Sequence, residues 1–185
     1  VPFAEHWFCW SPAKPNDAGE PKKPIDPKNG RVASTSNPAT AGTFEQAAAQ
    51  VVPKGRRGHA PEGGVGVHMR TAKAGFVGFD FDNVRNPDSG EVNDMGAEVL
   101  RRFAGAYVEV SPSGKGLRVF CLGESGGECC NEKHPGGKEF GGIEMYPGGA
   151  KNANYMRVTG ALVTGCAGVV AECQAGIDWA AQVVA

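Results

Sequence analysis

The apolar run Ala74-Gly-Phe-Val-Gly-Phe-Asp-Phe-Asp-Asn83 ends in the alternation Phe79-Asp80-Phe81-Asp82, so a strand built from it sends Phe79 and Phe81 to one face and Asp80 and Asp82 to the other. Short β-prone runs also mark strands at His6–Trp10, Val65–Met69, Ala106–Ser111, Leu117–Leu122, Gly142–Tyr146 and Tyr155–Thr159. The runs Val65–Met69 and Gly75–Asp82 are close enough in sequence to form a hairpin. Elsewhere the period lengthens. After the N-cap candidate Asn93, residues Met95, Val99, Leu100 and Phe103 recur at helical spacing, with a stop at Gly105. Thr43 precedes a run of strong helix formers ending at Gln50, and Ala167–Val184 reads as an amphipathic helix anchored by Ile177 and Trp179.

Strands with interspersed helices, joined by glycine-rich turns, predict an α+β fold with a largely antiparallel sheet. Two stretches interrupt it: a Pro- and Lys-rich excursion to about Pro38, and a basic, Gly-rich loop from Lys54 to Gly64. The chain's 185 residues fit one domain with a core of its own. Its formal charge of −1 supplies no global basic field, so any nucleic-acid contact must be local. Basic residues do cluster at Lys22-Lys23, Lys28 and Arg31, at Lys54, Arg56 and Arg57, and at Arg101-Arg102. No apolar run approaches the ~20 residues of a membrane span, and the N-terminus lacks the order of a signal peptide. The six cysteines show no repeating spacing, which points to a reduced, cytoplasmic setting rather than a disulfide scaffold. A start at Val1 rather than Met suggests a piece of a longer protein.

Asp80 and Asp82 carry the first candidate chemistry. Two like charges about 7 Å apart at the rim of an apolar strand repel, and a hard cation such as Mg²⁺ or Mn²⁺ compensates them. Ser111-Pro-Ser-Gly-Lys-Gly-Leu-Arg118, between two strands, has the residue types of a phosphate cradle: Gly114 and Gly116 expose backbone N–H groups, Ser111 and Ser113 donate, and Lys115 and Arg118 bring charge. It is not a Walker A loop, because Glu109 and Gly116 stand where that pattern needs glycine and a hydroxyl. In Gly142-Ile-Glu-Met-Tyr146, alternation puts Glu144 beside the face of the aspartate pair, so three carboxylates on neighbouring strands become available to two ions. Arg157, in Tyr155-Met-Arg-Val-Thr-Gly160, can fork to a phosphate or hold one of the carboxylates.

In that order, the aspartate pair, the Ser-x-Ser-Gly-x-Gly turn, the strand carboxylate and Arg-x-Thr-Gly resemble the archaeo-eukaryotic primase superfamily, in particular the primase-polymerase domains of phage and plasmid replication proteins. The likeness extends over most of residues 7–160, including Trp7 and Trp10, the stretch Lys22–Gly30 and Thr43-Phe-Glu-Gln-Ala. It implies an RRM-like catalytic core (about 65–165) packed against a smaller N-terminal α/β module (about 1–64), with a C-terminal helix at 166–185. It further implies template-directed nucleotidyl transfer, as DNA primase, DNA polymerase or both. Asp80, Asp82 and Glu144 would hold two Mg²⁺ or Mn²⁺ ions; Ser111, Ser113, Gly114, Lys115, Gly116, Arg118 and Arg157 would bind an NTP or dNTP. Lys22, Lys23, Arg31, Arg56 and Arg57 would contact a single-stranded DNA template, and a helicase domain in the same full-length chain is plausible on the resemblance. Two departures stand out: Arg118 where many members have His, and Ala41 where many have Trp, the latter read as a packing change.

Zinc is not expected, since Cys121, Cys129, Cys130 and His134 include no C-x₂₋₄-C pair. Two other functions compete. A non-catalytic RRM-like module binding single-stranded nucleic acid predicts loss of one of the three carboxylates, and none is lost. A metal-dependent nuclease of the nickase kind needs an H-x-H pair, which His6, His59, His68 and His134 do not form.

Overall fold

The computed structural model describes residues 6–10, 24–51, 64–126, 130–132, 142–151 and 155–183. These form two antiparallel sheets and three α-helices, an α+β fold. The chain divides into two compact units, Val1–Lys73 with Ala153–Val158, and Ala74–Asn152 with Thr159–Ala185.

In the first unit the sheet order is β2 (Pro24–Ile25), β1 (Trp7–Trp10), β3 (Gly64–His68) and β9 (Tyr155–Val158). Helix α1 (Phe44–Gln50) starts at Thr43, whose hydroxyl accepts from the Gln46 N–H while the Gln46 side chain accepts from the Thr43 N–H, a reciprocal capping box. The helix covers the face of β1 that carries Trp7 and Cys9: the Trp7 and Phe44 rings meet edge-on at 4.9 Å, and the Cys9 thiol donates to the Ala47 carbonyl. On the opposite face Phe8 is buried with Ala33 and Ala41, so Ala41 occupies a packing position.

The expected hairpin between the third and fourth strands does not form. Both edges of β3 are taken, by β1 and by β9, while β4 (Phe76–Phe81) pairs with other strands altogether. The intervening segment explains the redirection: the His68 ring accepts from the Thr71 N–H and closes a 3₁₀ turn at Met69–Thr71, after which Gly75 turns the chain again with φ of +88°.

The second unit holds a five-stranded sheet in the order β5 (Tyr107–Val110), β6 (Leu117–Leu122), β4, β8 (Ile143–Pro147) and β7 (Cys130–Glu132). Its inner face is apolar: Val77, Phe79 and Phe81 from β4, Leu117, Val119 and Cys121 from β6, and Ile143 and Met145 from β8 are all buried. Against it pack α2 (Asp94–Arg102), capped as expected by Asn93 accepting from the Gly96 N–H, and α3 (Gln174–Val183), which buries Ile177 and Ala180. Helix α3 is shorter than its sequence suggests. Residues 171–173 instead run beside the end of β6, with Leu122 N–H donating to the Ala171 carbonyl and Cys173 N–H to the Leu122 carbonyl. The Arg101-Arg102 pair is not an open basic patch: both side chains are drawn onto Glu98, and Arg102 also lies 5.8 Å over the Trp179 ring.

Candidate functional site

The inner face of the five-stranded sheet fixes what its outer face can do. Side chains alternate along each strand, so burying Phe79 and Phe81 turns Asp80 outward, burying Leu117 and Val119 turns Arg118 outward, and burying Ile143 and Met145 does the same for Glu144. The register then aligns them. Glu109 of β5 is the Cα partner of Arg118, Arg118 of Asp80, Asp80 of Glu144, and Glu144 of Asn131 in β7. One polar position from every strand thus lies in a single transverse row across the sheet.

Within the row Arg118 is nearly buried, and its guanidinium donates from Nε and Nη2 to the Asp80 Oδ2, at 3.0 and 2.6 Å. The other Asp80 oxygen, Oδ1, is buried and accepts no hydrogen bond. A carboxylate oxygen in that state is costly, and coordination to a cation is one way to relieve it. Across the β4–β8 pair, Glu144 accepts from the Tyr146 hydroxyl at Oε2. Asp82 lies one residue beyond β4 and is exposed; its N–H donates to the Gly142 carbonyl, which ties the start of β8 to the end of β4. The donor chemistry therefore fits a hard divalent ion at Asp80 and Glu144, with Asp82 at the adjoining strand end. Among the described residues no three His, Cys, Asp or Glu side chains are gathered closely enough to enclose an ion.

Glu109 escapes a reading by motif. It is fully buried, yet its carboxylate accepts from the Thr159 N–H at 2.9 and 3.1 Å, the Gly160 N–H at 2.9 Å and the Tyr107 hydroxyl at 3.0 Å. Burial holds its pKa above the usual carboxylate value, and those donors and the Arg118 charge offset part of that rise in favour of the ionised form. The Tyr107 hydroxyl is itself pushed upward by burial and by the Glu109 charge. The Thr-Gly half of Arg-x-Thr-Gly is thus a ligand of Glu109. The available signal was a lone charge inside the apolar strand Tyr-Val-Glu-Val.

The serine- and glycine-rich turn joins β5 to β6, as expected, and is braced from within. Ser111 Oγ accepts from the Gly116 N–H and lies 3.1 Å from Ser113 Oγ, which accepts from the Lys115 N–H. Gly114 holds φ of +74°, a conformation glycine adopts without strain. Ser113 and Lys115 are exposed, Ser111 is buried, and Arg118 belongs to β6 with its guanidinium at Asp80 rather than at the turn. Arg85 was invisible as a contributor: its Nη1 donates to the Gly114 carbonyl and its N–H to the Lys115 carbonyl, pinning the turn to the segment that follows Asp82. Gly116 is packed so closely that a Cβ there would sit 2.5 Å from the Phe81 carbonyl oxygen. Gly116→Ala is expected to cost about 1–3 kcal/mol in thermal or urea unfolding, the usual range for overpacking, because the turn must lift off the end of β4.

Arg157 lies in β9 of the first unit, its guanidinium 5.4 Å over the Trp10 ring. Arg31 is exposed on the segment after β2, whereas Lys28 donates its ammonium to the carbonyls of Ala39 and Ala41. Lys22, Lys23, Arg56, Arg57, Cys129 and His134 lie outside the described residues. Of the possible zinc ligands, Cys121 is buried in the apolar core, where burial raises its thiol pKa. No helix among the described residues is long and apolar enough to cross a membrane.

No family model matches the sequence. The chain is 28% identical over 160 residues to a protein named DNA primase-polymerase from Nitratiruptor phage NrS-1; the match covers 86% of this chain and 20% of that protein. The chain thus corresponds to about a fifth of the length of that relative.

Proposed function

We propose that the chain is the nucleotidyl-transferase domain of a phage-type replication protein, extending or initiating DNA-templated strands. The observation that carries this reading is the transverse row, in which a buried, unsatisfied Asp80 oxygen lies beside Glu144 and is neutralised on its other side by Arg118. The likeness to a phage DNA primase-polymerase, with the Ser-Gly turn pinned next to Asp82, supports it independently.

Two divalent ions held by Asp80, Asp82 and Glu144 would supply activation of a 3′-hydroxyl and neutralisation of the departing pyrophosphate. The remaining roles belong to the chain's own groups. Lys115 and Ser113, both exposed on the turn, face solvent from which a triphosphate would arrive, while Ser111 keeps the turn in shape by holding the Gly116 N–H. Arg118 compensates the carboxylates before nucleotide arrives and offers an always-charged fork to phosphate.

The test is a product-length assay. The chain is incubated with single-stranded template, labelled NTP or dNTP, and Mg²⁺ or Mn²⁺, with and without primer. Products that grow by single nucleotides and vanish with chelator support the reading; template binding without any incorporation would leave a non-catalytic binding module. Template binding should also be steeply salt-dependent. Removing one phosphate contact with Arg31→Ala is expected to weaken single-stranded DNA binding evenly across sequences and to reduce the log K against log salt slope by about 0.7, measurable by fluorescence anisotropy.

A further inference from the structure

We infer that Glu109 is a positioning residue for the transfer reaction, acting through Arg118: its carboxylate fixes, from the β5 side, the guanidinium that Asp80 holds from the β4 side. This rests on the nucleotidyl-transfer reading above and adds a residue to it.

Arg118 sits on β6, between the two carboxylate-bearing strands, and is the register partner of both Glu109 and Asp80. Directly opposed residues in an antiparallel pair share a face, so the three side chains form one minus-plus-minus line. A guanidinium anchored only to Asp80 would follow that carboxylate whenever Asp80 changes partners. A second, immobile anion on the other side keeps it in place. Glu109 suits that task because it cannot itself move: three donors from Tyr107, Thr159 and Gly160 hold its two oxygens inside a fully buried site. Two of those donors are backbone N–H groups at the point where the chain re-enters the second unit, so the anchor is part of the framework rather than of a mobile side-chain network.

The competing explanation is that Glu109 only satisfies the Thr159 and Gly160 N–H groups. Glu109→Gln separates the two, because it keeps one acceptor oxygen for those groups and removes the charge that Arg118 feels. The experiment is a double-mutant cycle of Glu109→Gln and Arg118→Ala, read as nucleotide KM and kcat and, for variants too slow to assay, as binding of the Mg²⁺–dNTP by calorimetry, with folding checked by thermal denaturation.

Glu109→Gln alone is expected to raise KM or Kd by about 10-fold with a change in kcat under about 3-fold, the size of one lost charge-assisted interaction. In the Arg118→Ala background the same change is expected to add less than about 2-fold, since the group it positions is gone. If Arg118→Ala does not fold, Arg118→Lys takes its place, because an ammonium lacks the planar fork with which Arg118 grips Asp80, and the same non-additivity is expected. Equal effects of Glu109→Gln in both backgrounds, or an unchanged KM, overturn the inference while leaving the functional reading standing. A parent chain that neither incorporates nor binds nucleotide overturns both.

Discussion

Asp82→Ala is expected to lower Mg²⁺- or Mn²⁺-dependent nucleotide incorporation by at least about 10²–10³-fold, the loss typical of one preorganised electrostatic group, while moving the thermal midpoint little. The reason for the second half is position: Asp82 lies beyond the end of β4 and is exposed, where substitutions seldom change stability by more than about 0.5 kcal/mol. Asp80→Ala should match it in activity but not in stability. Asp80 is the partner of a nearly buried Arg118, and removing one member of a buried pair costs about 3–5 kcal/mol because the remaining charge loses its paired carboxylate. Comparing the two variants by melting curve and product-length assay separates the ion-binding role from the structural one. Full incorporation by a folded Asp82→Ala protein sinks the metal assignment.

The same pair yields the other large effect. Arg118→Met is expected to destabilise by about 3–5 kcal/mol, a large share of the 5–15 kcal/mol typical of a whole domain, since it leaves Asp80 with neither oxygen compensated. Replacing both members, Asp80→Leu with Arg118→Met, should recover at least about half of that loss, because an apolar pair of similar size avoids the desolvation of two ions. The double variant should nonetheless be inactive. Recovered unfolding free energy in urea without recovered incorporation would mean that the ion pair is kept for its chemistry and not for the fold. A double variant less stable than either single would show instead that the strand pairing itself depends on the charges.

Four of the five strands of the second unit were legible as short β-prone runs, β4 from Phe79 and Phe81 and β6 from Leu117, Val119 and Cys121, whereas β7 lies in a stretch whose sequence reads as a loop. Helix starts were legible where a cap was written locally, at Thr43 and Asn93. Partner choice was not. Nothing near Gly64–His68 in sequence says that its neighbours are Trp7–Trp10 and Tyr155–Val158, because a strand's partners depend on which distant faces need covering. The candidate site divides in the same way. The Asp80 and Glu144 positions follow from alternation, and the register sets them side by side. Its place at the end of the motif puts Arg118 with the phosphate turn, yet β6 alternation turns it onto the sheet face, where Asp80 is in reach. Glu109 was legible only as an oddity, since the donors that make its burial tolerable come from about fifty residues downstream.

Because the charged row runs across the sheet rather than along the chain, each strand contributes a single position to it and no connecting loop contributes its length. The row is therefore modular with respect to insertion: apart from the β5–β6 turn and the strand end at Asp82, which the proposed reaction uses, the segments between strands can change length without moving it. The constraint falls on parity instead: an insertion or deletion of one residue inside a strand turns its contribution to the wrong face, so variation within this sheet is channelled into its turns.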